Sequence, residues 1–192
     1  MQSLVDDWVA RPGRWFPIMG VTLALGLAWI WVSAVPPEAT TGGQIPSPRE
    51  GFLAPDFTLE LLGGGEVTLS ELRGKGVVIN LWASWCPPCR AEMPAIQQVY
   101  EKAKGRGLAV LAVNTTFQDS ERAAAAFIQE LGLTFLVPLD RDGTVSRQYQ
   151  LRALPSTFFV DREGVIRKVI IGGPMSEATI QTAVEEILEQ DG

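Results

Sequence analysis

The first strong signal along the chain is an absence of charge. Residues 15–37, WFPIMGVTLALGLAWIWVSAVPP, carry no charged side chain. As a helix, such a run reaches across a hydrocarbon core of about 30 Å. Arg11 and Arg14 precede it, and no further basic residue follows until Arg49. Basic flanks stay on the cytoplasmic side, so the pattern predicts a cytoplasmic N-terminus over 1–14 and a transmembrane anchor over 15–35. Trp15, Trp29 and Trp31 fall toward its ends, where interfacial aromatics belong. A cleaved leader, with VSA at 32–34 as a poor small-residue cleavage site, is the competing reading. The run is longer than a usual leader core, and Asp6 and Asp7 dilute its basic start. A buried helix of a soluble protein fits worse, because apolar residues on every side would need a large protein to cover them.

Residues 36–50, PPEATTGGQIPSPRE, lose the apolar pattern and have the Pro, Gly, Ser and Thr content of an extended linker. Periodicity returns in the remainder, 51–192, a common size for one domain. Two short alternating runs, 57–61 and 66–69, flank three glycines and predict a β-hairpin, with Ser70 as a cap for one helical turn. GVVINLWA at 76–83 and LAVLAVNT at 108–115 are continuous apolar runs, suited to strands covered on both faces. Helices are expected over 87–104, after Ser120, in TVSRQYQ, and after Ser176; TFLVPLD predicts a short strand. PSTFFVDREGVIRKVIIGG predicts a second hairpin around residues 162–164. Strands alternating with helices give an α/β fold with a mixed sheet.

Composition narrows the chemistry. The net charge of −6 is not carried by a block, and no basic stripe is present, which speaks against nucleic acid as a partner. The chain has two cysteines and no histidine. A tetrahedral zinc site of protein ligands alone would want four Cys or His, and histidine-activated nucleophiles are excluded. Both cysteines fall in WASWCPPCRAEMP, residues 82–94, between a predicted strand and a predicted helix. Cys86 at a helix start meets unpaired N–H groups and the positive end of the dipole, which favour a thiolate. Cys89, one turn on, is placed to resolve a mixed disulfide. Pro87 and Pro88 suit a first helical turn, where no intrahelical N–H bond is lost. A purely structural disulfide over so short a loop would constrain the unfolded chain little.

NLWASWCPPCRAEMP resembles the active-site segment of thioredoxin-fold proteins, and most closely the TlpA/ResA-like membrane-anchored thiol-disulfide oxidoreductases of the bacterial envelope. APDFTL at 54–59 is similar to the opening segment shared by TlpA-like proteins and peroxiredoxins. LAVLAVNT with the following helix and strand resembles the insert of this branch. ALPSTFFVDREGVI resembles the cis-proline loop, and Gly172 and Gly173 the glycine region before the last helix. The resemblance covers about 51–190 and implies a thioredoxin-like fold with an N-terminal β-hairpin and a central helix–strand insert. It implies Cys86 as nucleophile, Cys89 as resolving thiol, and Pro155 as a cis residue facing them; the residues alone leave a trans turn equally open. Trp85, Pro87, Pro88, Leu154 and Pro155 are the expected substrate contacts. No cofactor beyond the Cys86–Cys89 couple and no metal site is expected.

The resemblance further implies an extracytoplasmic monomer that reduces protein disulfides, apocytochrome c among them, with electrons from a membrane thiol carrier. Two departures matter. Thioredoxins carry an aspartate six positions before the first cysteine, where this chain has Asn80. Some relatives carry a glutamate between the cysteines, where it has Pro87 and Pro88. Glu92 is expected on a solvated helix face, and Trp82 within the strand. Three other functions stay open: a peroxiredoxin-like peroxidase, a disulfide-forming oxidase, and a Cu(I) carrier using both thiolates. Against the peroxidase, Ala83 stands where a threonine or serine is wanted.

Overall fold

A computed structural model describes residues 15–33 and 45–189 of the chain. The expected cytoplasmic segment 1–14 and most of the expected linker lie outside the described residues. Helix α1, Trp15–Ser33, forms a unit separate from the rest. Its side chains are described at 19–27 and at 29, and among the described residues no helix is long and apolar enough to cross a membrane.

The second unit is built on β3, Gly76–Trp82, every residue of which is buried. It pairs in parallel with β4, Leu108–Asn114, and antiparallel with β5, Ser156–Val160. β6, Ile166–Ile171, closes the order β4-β3-β5-β6. The two-residue period of a strand divides β3 between two cores. Val78 and Trp82 face a cluster containing Met93, Ile96, Phe127, Ile180 and Ile187. Val77, Ile79 and Leu81 face a second cluster with Phe57, Tyr149 and Phe158. Burying each such side chain contributes about 1.5–3 kcal/mol, so both faces are needed to hold the strand.

Helix α2, Pro87–Ala103, and the C-terminal helix α5, Glu177–Glu189, supply the first cluster. The hairpin of β1, Thr58–Glu60, and β2, Glu66–Thr68, forms as the alternation predicts. The insert contains α3, Glu121–Glu130, capped by Ser120 Oγ, which accepts from the Ala123 N–H at 3.2 Å. A short helix α4, Thr144–Gln148, follows.

Two local expectations change. The run TFLVPLD makes isolated bridges rather than a continuous strand. The carbonyls of Leu136 and Pro138 accept from Ala112 and Asn114, but Pro138 has no N–H to return to the ladder. Ser70 does not cap a turn: the 3-10 turn Leu69–Leu72 starts without a side-chain cap, and the Ser70 N–H donates to Asp56 Oδ1 at 2.8 Å.

Candidate active site

Cys86 and Cys89 are joined in a disulfide with Cα atoms 5.3 Å apart. The buried strand β3 ends at Trp82, and residues 83–85 turn the chain into α2. Cys86 is the N-cap of that helix, in an extended conformation, and its sulfur accepts from the Cys89 N–H at 3.3 Å. Pro87 and Pro88 occupy the first helical positions, where a missing N–H costs nothing. Cys86 retains a sliver of exposure, 3%, and Cys89 none. On reduction, the N–H of Cys89 and the positive end of a 17-residue helix both favour a thiolate at Cys86. One sulfur meets the surface and the other stands behind it.

The approach to the helix is clamped from the insert. Asp119 accepts from the Ser84 N–H at 2.7 Å, Ser84 Oγ at 2.6 Å, Asn114 Nδ2 at 2.9 Å and the Ser120 N–H at 2.8 Å. Burial pushes the Asp119 carboxyl up, but the donors from Ser84, Asn114 and Ser120 outweigh it and hold the group below its usual range. The indole N–H of Trp85 donates to the Gln118 carbonyl at 3.0 Å, so this ring is held while more than half of it stays exposed.

Behind the disulfide, the structure corrects the reading of Glu92. It is fully buried rather than solvated. The helical period explains this: Cys89, Met93 and Ile96 mark the inward face of α2, and Glu92 falls on it. That spacing was the signal available in the sequence. Asn80 lies on the same face of β3 as Val78 and Trp82, and its register partner on β5 is Thr157. Asn80 Nδ2 donates to Glu92 Oε1 at 2.8 Å and to Thr157 Oγ1 at 2.8 Å. The Met175 N–H donates to Glu92 Oε2 at 3.1 Å. Burial pushes the Glu92 pKa above the ordinary carboxylate value, against the opposing pull of Met175 and Asn80. A titratable group, held partly toward its neutral form, therefore lies one turn beyond Cys89. Asn80, where thioredoxins carry an acid, serves as its donor.

The Leu154–Pro155 peptide is cis. A Cβ on Gly173 would lie 2.7 Å from Glu92 Oε2 and 2.9 Å from Pro155 Cγ, so only glycine lets these groups converge. Trp85, Cys86, Pro87, Pro88 and Leu154 line one groove of about 770 Å³, together with Phe117 and residues from α4 onward. Of the expected substrate contacts, Pro155 is not part of that lining; it sits toward the Glu92 side. Trp82 is fully buried, its indole N–H donating to the Ala112 carbonyl at 3.0 Å and its ring 4.6 Å from Phe127. Among the described residues no group of three or more Cys, Asp or Glu side chains is placed to hold a metal ion.

The sequence profile of the AhpC/TSA family matches residues 51–169. The thiol-disulfide oxidoreductase ResA of Geobacillus kaustophilus is 39% identical over 137 residues, covering 71% of this chain and 77% of that protein. The chain belongs to the thiol-disulfide oxidoreductases of the AhpC/TSA family. A second ResA, from Bacillus subtilis, is 40% identical over 131 residues, 68% of this chain and 72% of the relative. The crystal structure of StoA from the same organism superposes with a TM-score of 0.61 at 26% identity, covering 68% of this chain and 97% of StoA. In this thiol-disulfide oxidoreductase the thioredoxin-like α/β domain presents its disulfide at the mouth of a groove, with a buried carboxyl behind it.

Proposed function

We propose that this oxidoreductase is an envelope reductase of protein disulfides, anchored by residues 15–35, with residues 51–192 outside the cytoplasm. The supporting observation is the asymmetry of the thiols: Cys86 caps a helix at a groove and Cys89 is enclosed behind it. In the forward reaction the Cys86 thiolate attacks one sulfur of a substrate disulfide. A Cys86–substrate bond forms, and the other substrate sulfur leaves as a thiolate. Cys89 passes its proton to Glu92 and attacks Cys86 Sγ; the Cys86–Cys89 bond forms, the mixed disulfide breaks, and the second substrate sulfur leaves as a thiolate that takes up a proton from solvent, as Glu92 returns its own to solvent. The substrate gains two electrons and the dithiol loses two. A membrane thiol carrier restores the dithiol, because an oxidising compartment does not. Trp85, Pro87, Pro88 and Leu154, which line the groove, contact the substrate polypeptide.

The names of the ResA relatives support the exchange chemistry. Apocytochrome c, with its own paired cysteines, is a substrate of the kind this chemistry requires. The uncharged run at 15–37, with Arg11 and Arg14 before it, supports the anchor. The peroxidase reading lacks its hydroxyl: the residue three before Cys86 is Ala83, fully buried among apolar neighbours.

The test uses the full chain in bacterial cells. Cys86→Ser should show no turnover. Cys89→Ser should retain substrate in a mixed disulfide, found with the membrane pellet after alkaline extraction. Full turnover by Cys89→Ser without an added thiol contradicts the two-cysteine mechanism. Recovery of the full chain in the soluble fraction contradicts the anchor.

A further inference from the structure

The groove beside Cys86 carries a charge pattern that the thiol chemistry does not use. Arg147 and Arg152 line it, and no Asp or Glu does. The chain as a whole has the opposite sign, with 22 acidic residues against 16 basic. Arg147 is held in place by donating to the Asp142 carbonyl at 2.9 Å and to Thr144 Oγ1 at 3.1 Å. The Asp142 carboxylate lies close enough to feel that charge and partly offsets it. Arg152 is exposed and makes no ion pair among the described residues. Between them Gln150 adopts a left-handed conformation, φ 51°, the one non-glycine residue to do so among those described. That turn leads the chain out of α4 toward Leu154, past the groove. A side chain there stores strain, as residues at binding sites often do. The same groove exposes two aromatic surfaces, Trp85 at 57% and Phe117 at 48%.

We propose that this groove receives the extended polypeptide that flanks the substrate cysteine, and that it selects segments carrying a carboxylate beside a large apolar residue. The proposal rests on the reductase reading and adds the chemical class of the substrate to it. The groove, about 770 Å³, holds a few side chains of an extended strand. Trp85 and Phe117 offer apolar faces for the neighbouring residue. The Arg152 guanidinium attracts a carboxylate and repels a lysine at the same position, and Arg147 adds to the field. Rim charges of this kind set preference and association rate, so the effect weakens as salt rises.

The test uses the full chain, solubilised in detergent and reduced, with symmetrical disulfide dimers of one short peptide. The peptide has a central cysteine between Leu and Phe, with Glu, Gln or Lys at the next positions outward. A symmetrical dimer presents the same flank whichever sulfur is attacked. Each protein's rates are divided by its own rate on the Gln dimer, which removes changes in the chemical step. At low salt the order should be Glu over Gln over Lys, with Glu about tenfold ahead of Lys and the gap closing as salt is added. Arg152→Ala should flatten the order and Arg152→Glu should invert it. Equal rates for the three dimers, or an order untouched by Arg152→Glu, overturn the proposal while leaving the reductase reading in place. Failure to reduce any dimer removes that reading and the proposal together.

Discussion

A carboxyl with no exposed surface, one turn beyond the inner cysteine, is the residue to which the proposed mechanism assigns the proton of Cys89. Glu92 accepts from Asn80 and from the Met175 backbone, and burial still raises its pKa above the 4.5 of a free glutamate side chain. The folded protein therefore binds this proton more tightly than the unfolded chain does. The sign follows: its favourable contribution is complete below pH 4.5 and is lost as pH rises through the higher folded value. Glu92→Gln removes that loss, since a glutamine never ionises. Urea unfolding at about pH 4 and about pH 8 should show the variant gaining on the parent at the higher pH, by about 1.4 kcal/mol per unit of raised pKa. The variant should also resolve a mixed disulfide about 100-fold more slowly, since it cannot take the Cys89 proton. A pH-independent stability difference with an unchanged resolving rate would remove Glu92 from the mechanism. Asn80 suits this partner because its amide can present either a donor or an acceptor as the carboxyl changes state.

The active-site turn is not held by α2 alone. Asp119, which ends the 3-10 turn Thr116–Gln118 after β4, holds Ser84, and the Gln118 carbonyl holds Trp85. A carboxylate accepting several short hydrogen bonds is worth more than a neutral contact, even where it is only half-buried. Asp119→Ala should lower stability by about 2 kcal/mol in urea titration. It should also raise the KM for a peptide disulfide, because the Trp85 platform loosens. An unchanged KM would mean that the clamp serves the fold alone. The strands and helices that carry this arrangement were legible in the sequence, because apolar runs, Ser120 and the CPPC helix start are local signals. The clamp was not: Asp119 and Ser84 are 35 positions apart, and nothing in either neighbourhood points to the other. Glu92 was legible in principle, since it shares the face of Cys89 and Ile96, but a charged side chain near a helix start reads first as solvated. The insert strand failed at Pro138, which keeps the path of a strand and forfeits its ladder.

Taken whole, the molecule joins an uncharged N-terminal run to an acidic domain whose reactive groove has the opposite charge. The domain's architecture was legible from alternation and from the CPPC segment; the sign reversal was not, because Arg147 and Arg152 lie some sixty residues after Cys86 and reach its groove only in the fold. The direction of electron flow belongs to this scale too, since it depends on the couple against its compartment rather than on any one contact. The decisive measurement is the reduction potential of the Cys86–Cys89 couple, taken on the full chain equilibrated against dithiothreitol or glutathione buffers. A reductase requires a value near or below about −250 mV, in the range of thioredoxin. A value near about −120 mV would mark a strong oxidant and contradict the account.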